Sequence, residues 1–196
     1  MKKLLITGLL TVLFTGIIGV IASKTFANEA NQVKVNNQVY TLKYSTNKTA
    51  SGEYMNEYYK EGEQGFNWTE LITVQEFPNN AMQPLEYAEL IQSKDQSPDG
   101  YDQMLNRNRQ LNTVTFIFLM RGRTDDYRYV EFNVMKVEPY KGKRGLRTMQ
   151  YAKKYKYNNR EEFLNALAEI DKEKNTIFNE MKNTLIPPVV HESIGE

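Results

Sequence analysis

The sequence predicts an α+β domain built on a single antiparallel sheet of about six to seven strands flanked by two helices. Three observations carry this expectation. Residues 113–120 form a run without a charge, rich in β-branched and aromatic side chains, as a strand covered on both faces requires. The segments after it, up to Tyr157, alternate apolar and polar residues with period two between turn sequences. Two segments with apolar residues at helical spacing, one before this block and one after it, supply the covers.

In chain order, Met1-Lys2-Lys3 precedes an uncharged apolar stretch over residues 4–22, and Thr25 and Ala27 place small residues where a signal peptidase reads them. Residues 1–27 are therefore expected to be a signal peptide cleaved after Ala27, or an N-terminal membrane anchor if uncleaved, since the stretch reaches spanning length. Either outcome predicts export (secreted, periplasmic or cell-surface) from a bacterial cell. Cleavage removes Lys2, Lys3 and Lys24 from 25 basic residues and none of 24 acids, leaving a net charge of −2. That balance argues against a general attraction to polyanions. With no cysteine in the chain, an exported domain stands on packing alone.

Gln32–Val35 and residues 39–44 flank Asn36-Asn37, and asparagine tolerates left-handed backbone, so a hairpin is expected. Residues 46–52 read as a polar loop, 53–60 as a strand, and 61–65 as a turn. Residues 66–77 read as a half-buried strand with Trp68, Glu70, Ile72, Val74 and Glu76 on one face. Pro84 opens a helix to about Ser93, with Leu85, Ala88 and Ile91 on one side. Residues 94–110 are polar, with a short helix expected over 101–109. Strands then follow over 127–137 and Leu146–Tyr157. Asn158 or Asn159 caps a long helix from 160 to about 184, whose apolar stripe is interrupted at Lys174. Ile186-Pro187-Pro188 stops it. The domain is thus expected over 28–185 and a tail over 186–196.

This element order looks like the PsbP-like α+β fold of several exported proteins, a resemblance of architecture that carries no residues across. The block Glu57-Tyr58-Tyr59-Lys60-Glu61-Gly62-Glu63, followed by Asn67-Trp68-Thr69-Glu70-Leu71-Ile72-Thr73, resembles a stretch in uncharacterised exported bacterial proteins and implies no function.

The inventory restricts the chemistry. His191 is the only histidine and lies beyond two prolines, so Cys–His or Ser–His catalysis and a His/Cys zinc site are not expected. Asp95, Asp99 and Asp102 with Gly100 miss the spacing of a calcium loop and read as a solvated turn. No catalytic residue, metal ligand or cofactor is assigned.

Two constellations remain. Between Lys136 and Arg160 nine basic residues face one acid, Glu138. Within that block Arg147, Tyr151, Lys153, Tyr155 and Tyr157 share a strand face, a candidate surface for an anionic ligand. The structural alternative is an edge strand protected by lysine, with its tyrosines covering a helix. The second candidate is the cluster Tyr54, Tyr58, Tyr59, Phe66 and Trp68, which stacks on sugars or seats a partner if exposed and closes the core if buried. The expected function is that of an exported, non-catalytic binding protein of the cell envelope or secreted fraction. Its expected partner is an envelope component or a protein, not nucleic acid, with membrane contact only through an uncleaved N-terminal segment. Two other readings stay open: a small hydrolase of envelope glycans using paired carboxylates such as Glu57 and Glu70, and a structural accessory subunit of a protein complex.

Overall fold

The computed structural model describes residues 31–48, 52–99, 101–140 and 144–191. The N-terminal segment with its expected cleavage point at Ala27 lies outside the described residues. Among those residues no helix is long and apolar enough to cross a membrane.

Eight strands form one antiparallel sheet: β1 (Gln32–Val35), β2 (Gln38–Lys48), β3 (Glu53–Tyr59), β4 (Glu70–Phe77), β5 (Leu105–Asn108), β6 (Thr113–Arg123), β7 (Arg128–Pro139) and β8 (Leu146–Tyr157). Among the described residues two helices accompany it, α1 (Pro84–Gln92) and α2 (Arg160–Asn183). The class is α+β, but the expected six to seven strands are corrected to eight. The additional strand is β5, where a short helix was expected. One or two helical turns are marginal alone. Extended, Leu105–Asn108 instead pair with Phe116–Thr113, after a turn in which Asn112 adopts φ +51°.

The strand order is β1-β2-β3-β4-β8-β7-β6-β5, so two up-and-down meanders meet where β4 pairs with β8. That places β8 in the middle of the sheet, so the alternative reading of it as an edge strand protected by lysine is corrected. The β1–β2 turn is the asparagine pair, with φ +51° at Asn36 and +60° at Asn37.

Alternation divides the sheet into two faces. On the inner face Ile72, Val74, Ile117, Phe132, Val134 and Met149 pack against Ile170, Ile177 and Met181 of α2. The sheet curls round this helix, which touches edge strand β1 as well as β6, β7 and β8. At the helix start the Asn159 side chain accepts from the Glu162 N–H at 2.9 Å, and the Glu162 carboxylate accepts from the Asn158 N–H at 2.7 Å. At its end the buried Lys136 of β7 donates to the carbonyls of Lys182 (3.1 Å) and Thr184 (2.6 Å), compensating the negative helix terminus.

On the outer face α1 packs over β6 and β7, with Ala88 against a cluster that contains Phe116, Phe118, Met135 and Val137. Farther along that face lies a separate small cluster of Tyr59, Leu71 and Ala152 with Tyr44 and Trp68.

Within the expected tail, part of residues 186–191 packs on the core. Ile186 and Val189 are buried, and Ser45 Oγ donates to the Val190 carbonyl at 2.9 Å. His191 stacks on Tyr54 with centroids 4.2 Å apart, and its Nε2 lies 3.2 Å from Glu76.

Candidate functional site

The first candidate set does share one side of β8, and that side faces inward. Tyr151 is 1% exposed and Arg147 8%. The Arg147 guanidinium lies 3.1 Å from Glu76 and 3.2 Å from Glu138, and it donates to the Pro187 carbonyl at 2.7 Å. Lys153 reaches Glu173 of α2 at 2.7 Å and Glu70 of β4 at 3.9 Å. Tyr155 donates to Glu173, and Tyr157 packs on Phe163 with centroids 5.0 Å apart. With strands on both sides and α2 above, each cation on this face meets a carboxylate from a neighbouring element.

The electrostatics of this inner network follow from enclosure. Burial raises the Tyr151 and Tyr155 phenols far above the ordinary value, helped for Tyr155 by its bond to the Glu173 carboxylate. At Glu70, burial alone would raise the carboxyl. Hydrogen bonds from Lys60 and from Tyr40 (2.6 Å), together with the charges of Lys60 and Lys153, outweigh it and hold the group below its ordinary value. These side chains hold β4, β8 and α2 together and do not form an open surface.

The carboxylate pair named for glycan hydrolysis is divided by the sheet. Glu70 bonds Tyr40 on the inner face, whereas Glu57 accepts from Tyr59, a residue of the outer cluster. Two carboxylates on opposite faces cannot flank one bond. Asp95, of the acidic turn, accepts from the backbone N–H groups of Leu119 (2.6 Å) and Ser97 (3.2 Å) and so fastens its loop to β6.

The aromatic candidate set is divided too. Tyr58 is 0% exposed and Tyr54 stacks on His191, both inside; Tyr59 is buried on the outer side. Phe66 is 95% exposed. Trp68 was expected to share a face with Ile72, but β4 begins only at Glu70, and the indole packs on the outer face.

That outer face brings together residues that the alternation of β8 had assigned to the reverse side. Lys154 holds its ammonium 3.7 Å from the Trp68 ring centroid and 5.2 Å from that of Tyr129. Lys156, exposed, lies 4.2 Å from the Tyr127 ring. Tyr129 stands opposite Gly122 in the β6–β7 register and lies over it so closely that a Cβ there would be 2.1 Å from the ring. Glu131, the register partner of Lys154, has its carboxyl raised by burial against the opposing charge of Lys154. Burial correspondingly lowers Lys154, with Glu131 opposing. The basic block of the sequence contained Lys154 and Lys156, but only the sheet order shows which parity of β8 looks outward.

A protein-family model matches residues 27–186. No curated protein and no solved structure matches the chain.

Proposed function

The chain belongs to that family, and we propose that it is an exported, non-catalytic binding protein that engages an anionic envelope ligand through the outer sheet face around Trp68, Tyr129, Lys154 and Lys156. One observation carries this reading. α1 packs over β6 and β7, so the β8 lysines beyond it stand among aromatic rings, beside a phenylalanine that is 95% exposed. Flat amphipathic rings offer contact area at little entropic cost, and the ammonium groups between them supply charge. A phosphate- or carboxylate-bearing polymer suits that combination. The inner basic residues are consumed by intramolecular pairs and take no part.

The test is retention of the purified chain on isolated anionic envelope polymer at low and high salt. Binding is expected at low salt, weakened at high salt and lost in Trp68→Ala and in the Lys154→Ala/Lys156→Ala double variant. Binding unchanged in both variants would overturn this assignment of the surface. Salt-insensitive binding that depends on Phe66 and Trp68 alone would replace the anionic ligand with an apolar protein partner.

A further inference from the structure

We propose that a second site, separate from the outer face, binds an amphiphile with an apolar chain and an anionic head in the cleft beside the C-terminal end of α2. The cleft has a volume of about 950 Å³ and lies at the seam where the curled sheet does not close. It is lined by residues 32–34 of β1, by ends of β6 and β7, and by residues 184–188, where the chain leaves α2. This volume falls within the range of small-molecule sites, about 300–1,000 Å³.

Its lining is chiefly apolar: Val33, Leu111, Leu185, Ile186, Pro187 and Pro188. Leu185 is 85% exposed and Leu111 65%, so two leucines stand uncovered at one opening without contributing to the core. The charged groups are Lys34, Lys136 and Arg147 against a single acid, Glu138. Lys136 and Arg147 are fixed by the helix-end carbonyls and by Glu76 and Glu138. Their charge is thus balanced within the protein by Glu76 and Glu138. Lys34 is exposed and has no ion-pair partner among the described residues, which leaves it free to meet a ligand head group at the rim. An apolar body against Leu111, Val33 and Leu185 with a carboxylate or phosphate at Lys34 matches both the lining and the charge. A cationic head would meet Lys34, the lining cation that no carboxylate balances among the described residues, and a neutral chain would leave it unused.

The probe is dodecanoate, kept below its micelle threshold. It is titrated calorimetrically into the full chain, purified as the expressing cell leaves it and freed of detergent. Saturable one-to-one uptake is expected, weakened about tenfold or more by Leu185→Asp and several-fold by Lys34→Glu. Dodecyltrimethylammonium, with the same chain and the opposite head, is expected to bind at least about tenfold more weakly. Both substituted side chains are exposed, and an unchanged melting transition confirms that the variants fold. Absence of saturable uptake, equal uptake of the two head groups, or uptake indifferent to Leu185→Asp would each overturn the proposal. So would a dimer that dissociates on Leu185→Asp in a chain that takes up no dodecanoate, since that outcome places a second copy on this face.

Discussion

Lys154 and Trp68 meet across the outer sheet face, the ammonium 3.7 Å from the centroid of the only tryptophan in the chain. A cation so placed is attracted by the ring quadrupole, yet burial pulls the lysine below its ordinary value of 10.5. The opposition makes Trp68 emission a reporter of one lysine.

In an alkaline titration the tryptophan emission of the native protein is expected to change with a midpoint below 10.5, and Lys154→Met to remove that step. The folded chain releases this proton before the unfolded chain does. Between the two values the unfolded state therefore holds more protons, and this group alone makes stability rise with pH. A step at or above 10.5, or one that persists in Lys154→Met, would contradict the arrangement.

The tyrosines act in the opposite sense. Tyr40, Tyr59, Tyr101, Tyr151 and Tyr155 are all raised well above 10.0, chiefly by burial. Their contribution is fully present below the unfolded value near 10 and is lost as pH rises beyond it, because the unfolded chain then ionises first. Near-ultraviolet phenolate absorbance should show only part of the 13 tyrosines titrating in the native state, the rest appearing together with unfolding. Thirteen ordinary titrations in the folded protein would refute the enclosure of this network.

Arg147 joins β8 to Glu76, Glu138 and the carbonyls of residues 186 and 187. Arg147→Met keeps much of the volume and strands two partly buried carboxylates. Urea denaturation should show a loss of about 3–5 kcal/mol, the range for breaking a buried pair by removing one partner. A loss under about 1 kcal/mol would show that these pairs do not hold the segment after α2.

Gly122→Ala is expected to cost about 1–3 kcal/mol, because its Cβ would enter the Tyr129 ring. With Tyr129 already replaced by Ala the space is vacant, and the same substitution should cost under about 1 kcal/mol. Equal costs in the two backgrounds would place the ring elsewhere.

How much of this was legible depends on where the determinants lie. The Asn36-Asn37 turn, the span of β8 and the Asn159-capped helix α2 are encoded locally, by left-handed tolerance, by period two and by period 3.6, and they appear at the expected positions. β5 was illegible because Leu105-Asn106-Arg107-Asn108 has no strand composition and is extended only by the β6 edge it pairs with. The candidate site failed for a related reason. Alternation showed that Arg147 to Tyr157 share a side of β8 but not which side, and that choice is made by β4 and α2, far away in sequence. The burial of Ile186 and Val189 was equally hidden, since two prolines end a helix without saying where the chain goes next.

The junction of the two meanders also orders events in time. β4 is made long before β8, and until β8 exists the edge from Glu70 to Phe77 lacks its neighbour, while Tyr58 and Ile72 lack the helix that covers them. The N-terminal half thus has no finished interior of its own, and its decisive contacts are among the most distant in sequence that the fold contains. The inner core is therefore complete only once β8 and α2 have been made, so the first half of the chain depends on the last third for its cover.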